Sequence, residues 1–263
     1  MKSLFITVLS FVSICVLAQS PESGKNWLLP DAGIEMVFVK DGTFNMGSDK
    51  GAVDEKPVHK VVISKPFWIG KFEVTQGQFK KITGASPAFN QGENIPVEQV
   101  SWNDAVAFCE KINIAEKKGG RLPEGYEYRL PTEAEWEFAA RAGDKNDVPG
   151  KLDEAAWFDK TSEGKTHEVG KKAPNANGLF DSLGNVWEWC LDSCDFNDDG
   201  VKTDTYRDSS DPLSQKGDYK VHRGGSWCYT EKFCHYSSRY ANKPDFSGGD
   251  IGFRIVLAPA LKK

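Results

Sequence analysis

Short apolar runs punctuate the first third of the chain at lengths suited to strands. Met36-Val37-Phe38-Val39 reads as a strand, Asp41-Gly42 as a turn, and Thr43 to Gly47 as the return arm of a hairpin. Lys60 to Ser64 and Phe67 to Phe72 are further strand candidates; Val221-His222-Arg223 and Phe253 to Leu257 are the last. The pattern turns helical after Ser101-Trp102-Asn103-Asp104, where Ala105, Val106, Cys109 and Ile112 share one face behind a cap. Thr132-Glu133-Ala134-Glu135 is a capping box that opens a helix through Trp136 to Arg141 and stops at Gly143. Pro131 keeps the preceding residue extended. Glu73 to Phe79 predicts another helix start, with Thr75 as its cap. Beyond Gly143 little is regular: Pro174 to Asp181 is turn chemistry, and Gly184 to Trp189 leads into an acidic loop, Asp192 to Asp211.

There is no internal repeat and no linker of disordered composition, which predicts one domain over residues 33–260 behind a polar leader at 19–32. At 263 residues the chain can bury a substantial core. Eight tryptophans and 25 glycines favour loops pinned by large aromatics. A net charge of −5 without a basic cluster argues against a nucleic-acid partner. Lys2, the apolar run Leu4 to Leu17 and Val16-Leu17-Ala18 before Gln19 form an export signal over 1–18. That run is short for a membrane span, so the mature chain is expected to be periplasmic, secreted or displayed at the cell surface, without a transmembrane segment. A lipoprotein anchored at Cys15 is the lesser alternative, because Ile14 crowds the lipidation site. In an exported protein disulfides are permitted, yet Cys109, Cys190, Cys194, Cys228 and Cys234 are an odd number. Cys109 lies in the helical pattern as a buried residue; the other four allow three pairings.

Arg223-Gly224-Gly225-Ser226-Trp227 and Ile251-Gly252-Phe253-Arg254 bracket a segment rich in thiols, aromatics and small polar groups. With Gly42 to Gly47, Val100-Ser101-Trp102, Arg129 to Glu137 and Gly184 to Trp189, these pieces resemble the formylglycine-generating enzyme (sulfatase-modifying factor) family. The resemblance implies an α+β, C-type-lectin-like fold with little regular secondary structure. It also leaves function open, because such a family holds copper-dependent cysteine oxidases, partner domains and binding proteins diversified by retroelements.

In the oxidases the first active-site cysteine stands three places after the serine, and the second five residues later. Here Tyr229 holds the first place, Cys228 comes one residue early, and Cys234 matches the second. Cys228 and Cys234 as a Cu(I) pair, with Ser226 and Trp187 lining the pocket, would be the oxidase reading. The slip favours a disulfide or two incidental thiols, since reacting groups tolerate little misplacement. The family's calcium loop falls on Asp181, Gly184, Val186 and Glu188, two carboxylates and two backbone carbonyls. Asp195 to Gly200 resembles half an EF-hand loop, but Tyr206 stands at the twelfth position, so a solvated acidic loop is expected. His222 and His235 with the nearby cysteines lack a diagnostic zinc spacing. With His59 and His167 they are too scattered for a three-histidine iron site.

The remaining reading treats the segment as a gripping surface. Adenine changes in asparagine codons, as in the diversified relatives, would yield the residue types at Cys228, Tyr229, Thr230, Phe233, Ser238, Tyr240, Phe246, Gly248, Gly249 and Asp250. Cys234, Arg239, Pro244 and Asp245 hold framework-like places. The favoured expectation is an exported binding protein for a protein or small-molecule ligand. Its contacts would be Trp227, Cys228, Tyr229, Thr230, Phe233, His235, Tyr236, Ser238, Tyr240, Phe246 and Asp250.

Overall fold

The computed structural model describes residues 20–196 and 208–261. Strands β1 (Trp27–Leu29), β2 (Ile34–Val39), β3 (Gly42–Met46), β4 (His59–Ile63) and β5 (Phe67–Gly70) come first. Helices α1 (Gln76–Thr83) and α2 (Trp102–Lys118), strand β6 (Tyr126–Arg129), α3 (Glu133–Arg141) and the one-turn α4 (Leu152–Ala155) follow. The rest is β7 (Trp187–Cys194), β8 (Ser209–Ser210), β9 (Tyr219–Arg223), β10 (Arg239–Asn242), β11 (Ile251–Gly252) and β12 (Val256–Pro259). They form three sheets, ordered β1-β2-β5-β12-β6, β10-β9-β7-β11 and β3-β4-β8. This is the expected α+β architecture with few helices.

The expected hairpin is present: Gly42 to Met46 pairs with Ile63 to His59 across β3 and β4. The expected caps are present as reciprocal boxes at Thr75 with Gln78, Ser101 with Asp104, and Thr132 with Glu135. Each pairs two amides that a helix start would otherwise leave unsatisfied. Trp27–Leu29, inside the expected leader, pair with Met36 to Ile34 and so extend the largest sheet. The 1–18 signal and most of the EF-hand-like loop, including Asn197 and Tyr206, lie outside the described residues. Among the described residues no helix is long and apolar enough to cross a membrane.

Phe79 and Phe108 stack at 5.5 Å between α1 and α2, and Phe253 meets the Phe108 ring edge-on at 5.3 Å. Trp187 and Trp189 of β7 belong to the same core. A second core packs α3 against β2, β4, β5 and β12. Helix α3 buries charges as well. Glu133 meets Arg223 and Arg239, Glu137 meets Arg141 and Arg223, and Glu135 forms a bidentate pair with Arg129. Buried carboxylates are tolerated where guanidinium groups meet them in this way. The result clamps α3 onto β9 and β10, the strands that carry the C-terminal segment.

Strand β7 departs from the expected loop. Residues Asp192 to Cys194 remain in the strand, and Asp192 is buried, accepting the amides of Glu133 and Ser214. Almost every side chain of β7 is buried, so it lacks the alternation that marks a half-exposed strand.

Candidate functional site

Both ends of the 227–250 segment are fixed to β7. On one side Arg223 pairs with Glu188 across β9 and β7; on the other Ile251 and Gly252 run parallel to Trp187 and Glu188. Between β9 and the segment, Gly224 and Gly225 take φ values of 98° and 79°. A Cβ on Gly225 would sit 2.7 Å from the Phe233 carbonyl and 2.9 Å from the Cys234 sulfur. Glycine is therefore required for both the turn and the close approach.

The outward side of this segment carries an aromatic cluster. The fully buried Trp187 ring is met edge-on by Tyr229 at 5.5 Å and lies 6.2 Å from Tyr240. Phe233 meets Tyr229 edge-on at 5.2 Å, and Tyr240 also lies against His222. Phe233 and Tyr240 are 37% and 41% exposed, which is unusual for rings already part of a cluster. The Trp187 indole nitrogen is buried and has no acceptor. Beside these rings, Cys228 is exposed and its sulfur lies 3.5 Å from the Ser226 hydroxyl and 3.9 Å from the Asp250 carboxylate. Thr230 is exposed and Trp227 half-buried, its indole donating to the Gly249 carbonyl at 3.0 Å. Phe246 is exposed next to Gly248. Phe89 is exposed on the other side of Gly249. Sequence reasoning missed Phe89; a lone phenylalanine directly after the turn-rich Gly84-Ala85-Ser86-Pro87-Ala88 was the available signal.

Three expected contact residues face the other way. Tyr236 and Ser238 are buried, Tyr236 under Arg141 and Ser238 with its carbonyl accepting from Arg223 at 2.6 Å. His235 is held by Asp147 at 3.1 Å and lies 3.7 Å from Glu55. These three are framework, not contact surface. The carboxylates raise the His235 pKa against the opposing effect of burial, and His235 with Arg141 holds Asp147 well below the usual carboxylate range. A cavity of about 690 Å³ borders Asp147 on that side, between Phe44, Lys60, Phe138 and Arg141. Its lining balances Lys50, Lys60, Arg141 and Lys145 against Asp49, Asp144 and Asp147, and it holds none of the aromatic cluster.

The thiols are not joined. Cys109, Cys190, Cys194, Cys228 and Cys234 are all free, so the expected disulfides, Cys228–Cys234 among them, are absent. Burial pushes the Cys234 thiol up to about 12, with Asp159 adding to the effect. Burial also raises Cys228, and Asp250 adds to it. Without a bound metal, burial therefore favours the protonated form of both thiols. The zinc arrangement is not assembled either: His235 sits among carboxylates, and His222 packs against Trp187 and Trp189 and meets Asn242.

At the expected calcium loop, Glu188 does not fit. Its two oxygens accept from Arg254 at 2.6 and 2.7 Å, and one also accepts from the Trp136 indole. Asp181 does fit. It is buried at φ 53°, one oxygen accepts the Gly170 amide at 2.6 Å, and the other has no partner. Burial lifts the Asp181 pKa to about 6. Glu73, fully buried nearby and bonded to Asn185 and the Val186 amide, is raised by burial and then by Asp181 and Glu188. One arginine, Arg254, thus faces three carboxylates. The surplus negative charge suits a hard cation at Asp181 with carbonyls such as those of Gly184 and Val186.

Residues 29–259 match the sulfatase-modifying factor enzyme 1-like domain. The chaperone protein LppX of Paenibacillus barcinonensis is 28% identical, over 84% of this chain and 89% of its own length. The formylglycine-generating enzyme of Thermomonospora curvata is 32% identical over 76% of this chain, and the match spans 66% of that enzyme. Among solved structures, Treponema denticola variable protein 1 superposes with a TM-score of 0.77 at 28% identity, over 89% of this chain and 99% of the other. Proteins similar to this chain thus carry the names of a formylglycine-generating enzyme, a chaperone protein and a variable protein. This chain belongs to the sulfatase-modifying factor enzyme 1-like family.

Proposed function

We propose that this protein binds a ligand through the outward side of residues 227–250 and does not act as a cysteine oxidase. The carrying observation is that Tyr229 and Tyr240 stand half-open against the buried Trp187, with Phe233 against Tyr229, while Cys228 falls one place short of the oxidase spacing to Cys234. Aromatic rings of this kind supply contact area at small entropic cost. The contact set is Trp227, Cys228, Tyr229, Thr230, Phe233, Tyr240, Phe246 and Asp250, with Phe89 added. The likeness to a variable protein supports diversification of these positions, and the sequence features of residues 1–18 support export. Calcium at Asp181 would be structural, tying the 170 and 181–188 turns below β7.

The test is direct. Purified mature protein is incubated with Cu(I), oxygen and a cysteine-containing sulfatase-type peptide, and the peptide is followed by mass spectrometry. The peptide mass is expected to stay unchanged; conversion of its cysteine to formylglycine, lost in Cys234→Ala, would overturn the proposal.

A further inference from the structure

Two carboxylates behind the aromatic face lack a counter-charge. Asp250 is half-buried, and its side chain meets the Ser226 hydroxyl and the Cys228 thiol. Glu98 is fully buried; one oxygen accepts the amides of Phe89 and Asn90 at 2.5 and 2.7 Å, and the other has no partner. A Cβ on Gly249 would lie 3.8 Å from that second oxygen, so Glu98 sits directly under the turn that carries Asp250. Burial raises both carboxyls, and Asp250 raises Glu98 further. Among the described residues no lysine, arginine or histidine forms an ion pair with either.

Asp181 and Glu73 apart, the other buried glutamates of this protein are answered by arginine or, at Glu55, by histidine. Glu116, Glu133, Glu135, Glu137 and Glu188 each meet an arginine. An uncompensated buried charge is costly, and what relieves it is a partner of opposite sign. Asp250 stands at the aromatic face: its carboxylate lies 3.9 Å from the sulfur of Cys228, the neighbour of Tyr229. A Cβ on Gly248 would lie 2.7 Å from that carboxylate and 3.3 Å from the Phe246 ring, while Trp187 lies behind Tyr229 and Tyr240. Aromatic faces attract cations through their quadrupole, most strongly where water is excluded.

We propose that this face takes the cationic head of its ligand, an alkylammonium group, between Tyr229, Tyr240 and Asp250. The inference rests on the ligand-binding reading and names the chemistry of its ligand. An alkylammonium head is found on free small molecules and on lysine side chains, and the experiment separates these sources.

Calorimetric titration uses matched charged and neutral probes: choline against 3,3-dimethylbutan-1-ol, and Nα-acetyl-lysine amide against its Nε-acetylated form. The charged member of a pair is expected to bind about tenfold more tightly, the scale of one desolvated cation–π and ion-pair contact. Asp250→Asn should remove that preference and leave neutral binding intact, Asp250→Glu should restore it, and Tyr240→Ala should weaken both members. A preference for choline over the lysine amide assigns a free ligand, and the reverse assigns a side chain. Equal binding of both members, lost in Tyr240→Ala, would overturn the cationic inference while leaving the ligand-binding face intact. No heat from any probe at tens of millimolar, or a charge preference that survives Asp250→Asn, would overturn it as well.

Discussion

The two sides of residues 227–250 are built from similar residue types and have opposite fates. Inward, His235, Ser237 and Arg239 are tied to Asp147, Glu55 and Glu133, and each of these carboxylates has a basic partner. Outward, Tyr229, Phe233 and Tyr240 have ring neighbours but stay open, and Asp250 has no counter-charge. On the proposed reading, one segment contributes fold stability through one side and binding capacity through the other. A variable surface needs that division, because changes on the open side leave the ion-pair framework untouched.

The sharpest way to break the comparison is to remove a carboxylate from the closed side. Glu133→Ala would remove the buried carboxylate that Arg223 and Arg239 share and should cost about 3–5 kcal/mol, read as a lower urea midpoint. Tyr240→Ala on the open side should change stability by less than about 0.5 kcal/mol. Comparable losses in the two variants would erase the distinction.

The proposed cation at Asp181 would give a second, smaller contrast. Calcium is expected to raise the melting temperature of the wild type and leave Asp181→Asn unmoved, since that variant removes the unpartnered oxygen. An equal rise in both proteins would place any calcium elsewhere.

The pH response should also come from the closed side. The folded His235 pKa is raised by Asp147 and Glu55, so its contribution is fully present below about 6.5 and is lost as pH climbs through the raised value. Asp147 behaves oppositely: its folded pKa is lowered, so its contribution holds above the ordinary carboxylate range and is lost as pH falls through the lowered value. Stability should therefore decline from near neutrality upward, and His235→Gln should flatten that slope. An unchanged slope in the variant would remove His235 as its source.

Sequence variation offers the gentlest test. Among isolates, substitutions should gather at 228, 229, 230, 233, 240 and 246 and spare 234 to 239. Variation spread evenly through the segment would contradict the assigned sidedness.

Local signals were legible: the β3–β4 hairpin and the caps at Thr75, Ser101 and Thr132 are set by neighbours in sequence. Strand β7 was not, because its mixture of tryptophan, glutamate and aspartate is buried by distant partners such as Arg254 and Glu133. The composition of the site was visible, but its sidedness was not. Tyr236, Ser238 and His235 read as contacts until Asp147, 88 residues from His235, and Glu55, 182 residues from Ser237, turned that stretch inward. The Cys228–Cys234 spacing likewise suggested a bond that the fold does not make.

The central claim is that ligand is gripped on the open side alone. Arrays of glycans and peptides probed with wild type, Tyr229→Ala, Tyr240→Ala and His235→Gln in parallel test it most directly. The account predicts that wild type and His235→Gln share the same bound features and that both tyrosine variants lose them. Features that survive the tyrosine changes but vanish in a folded His235→Gln would contradict it.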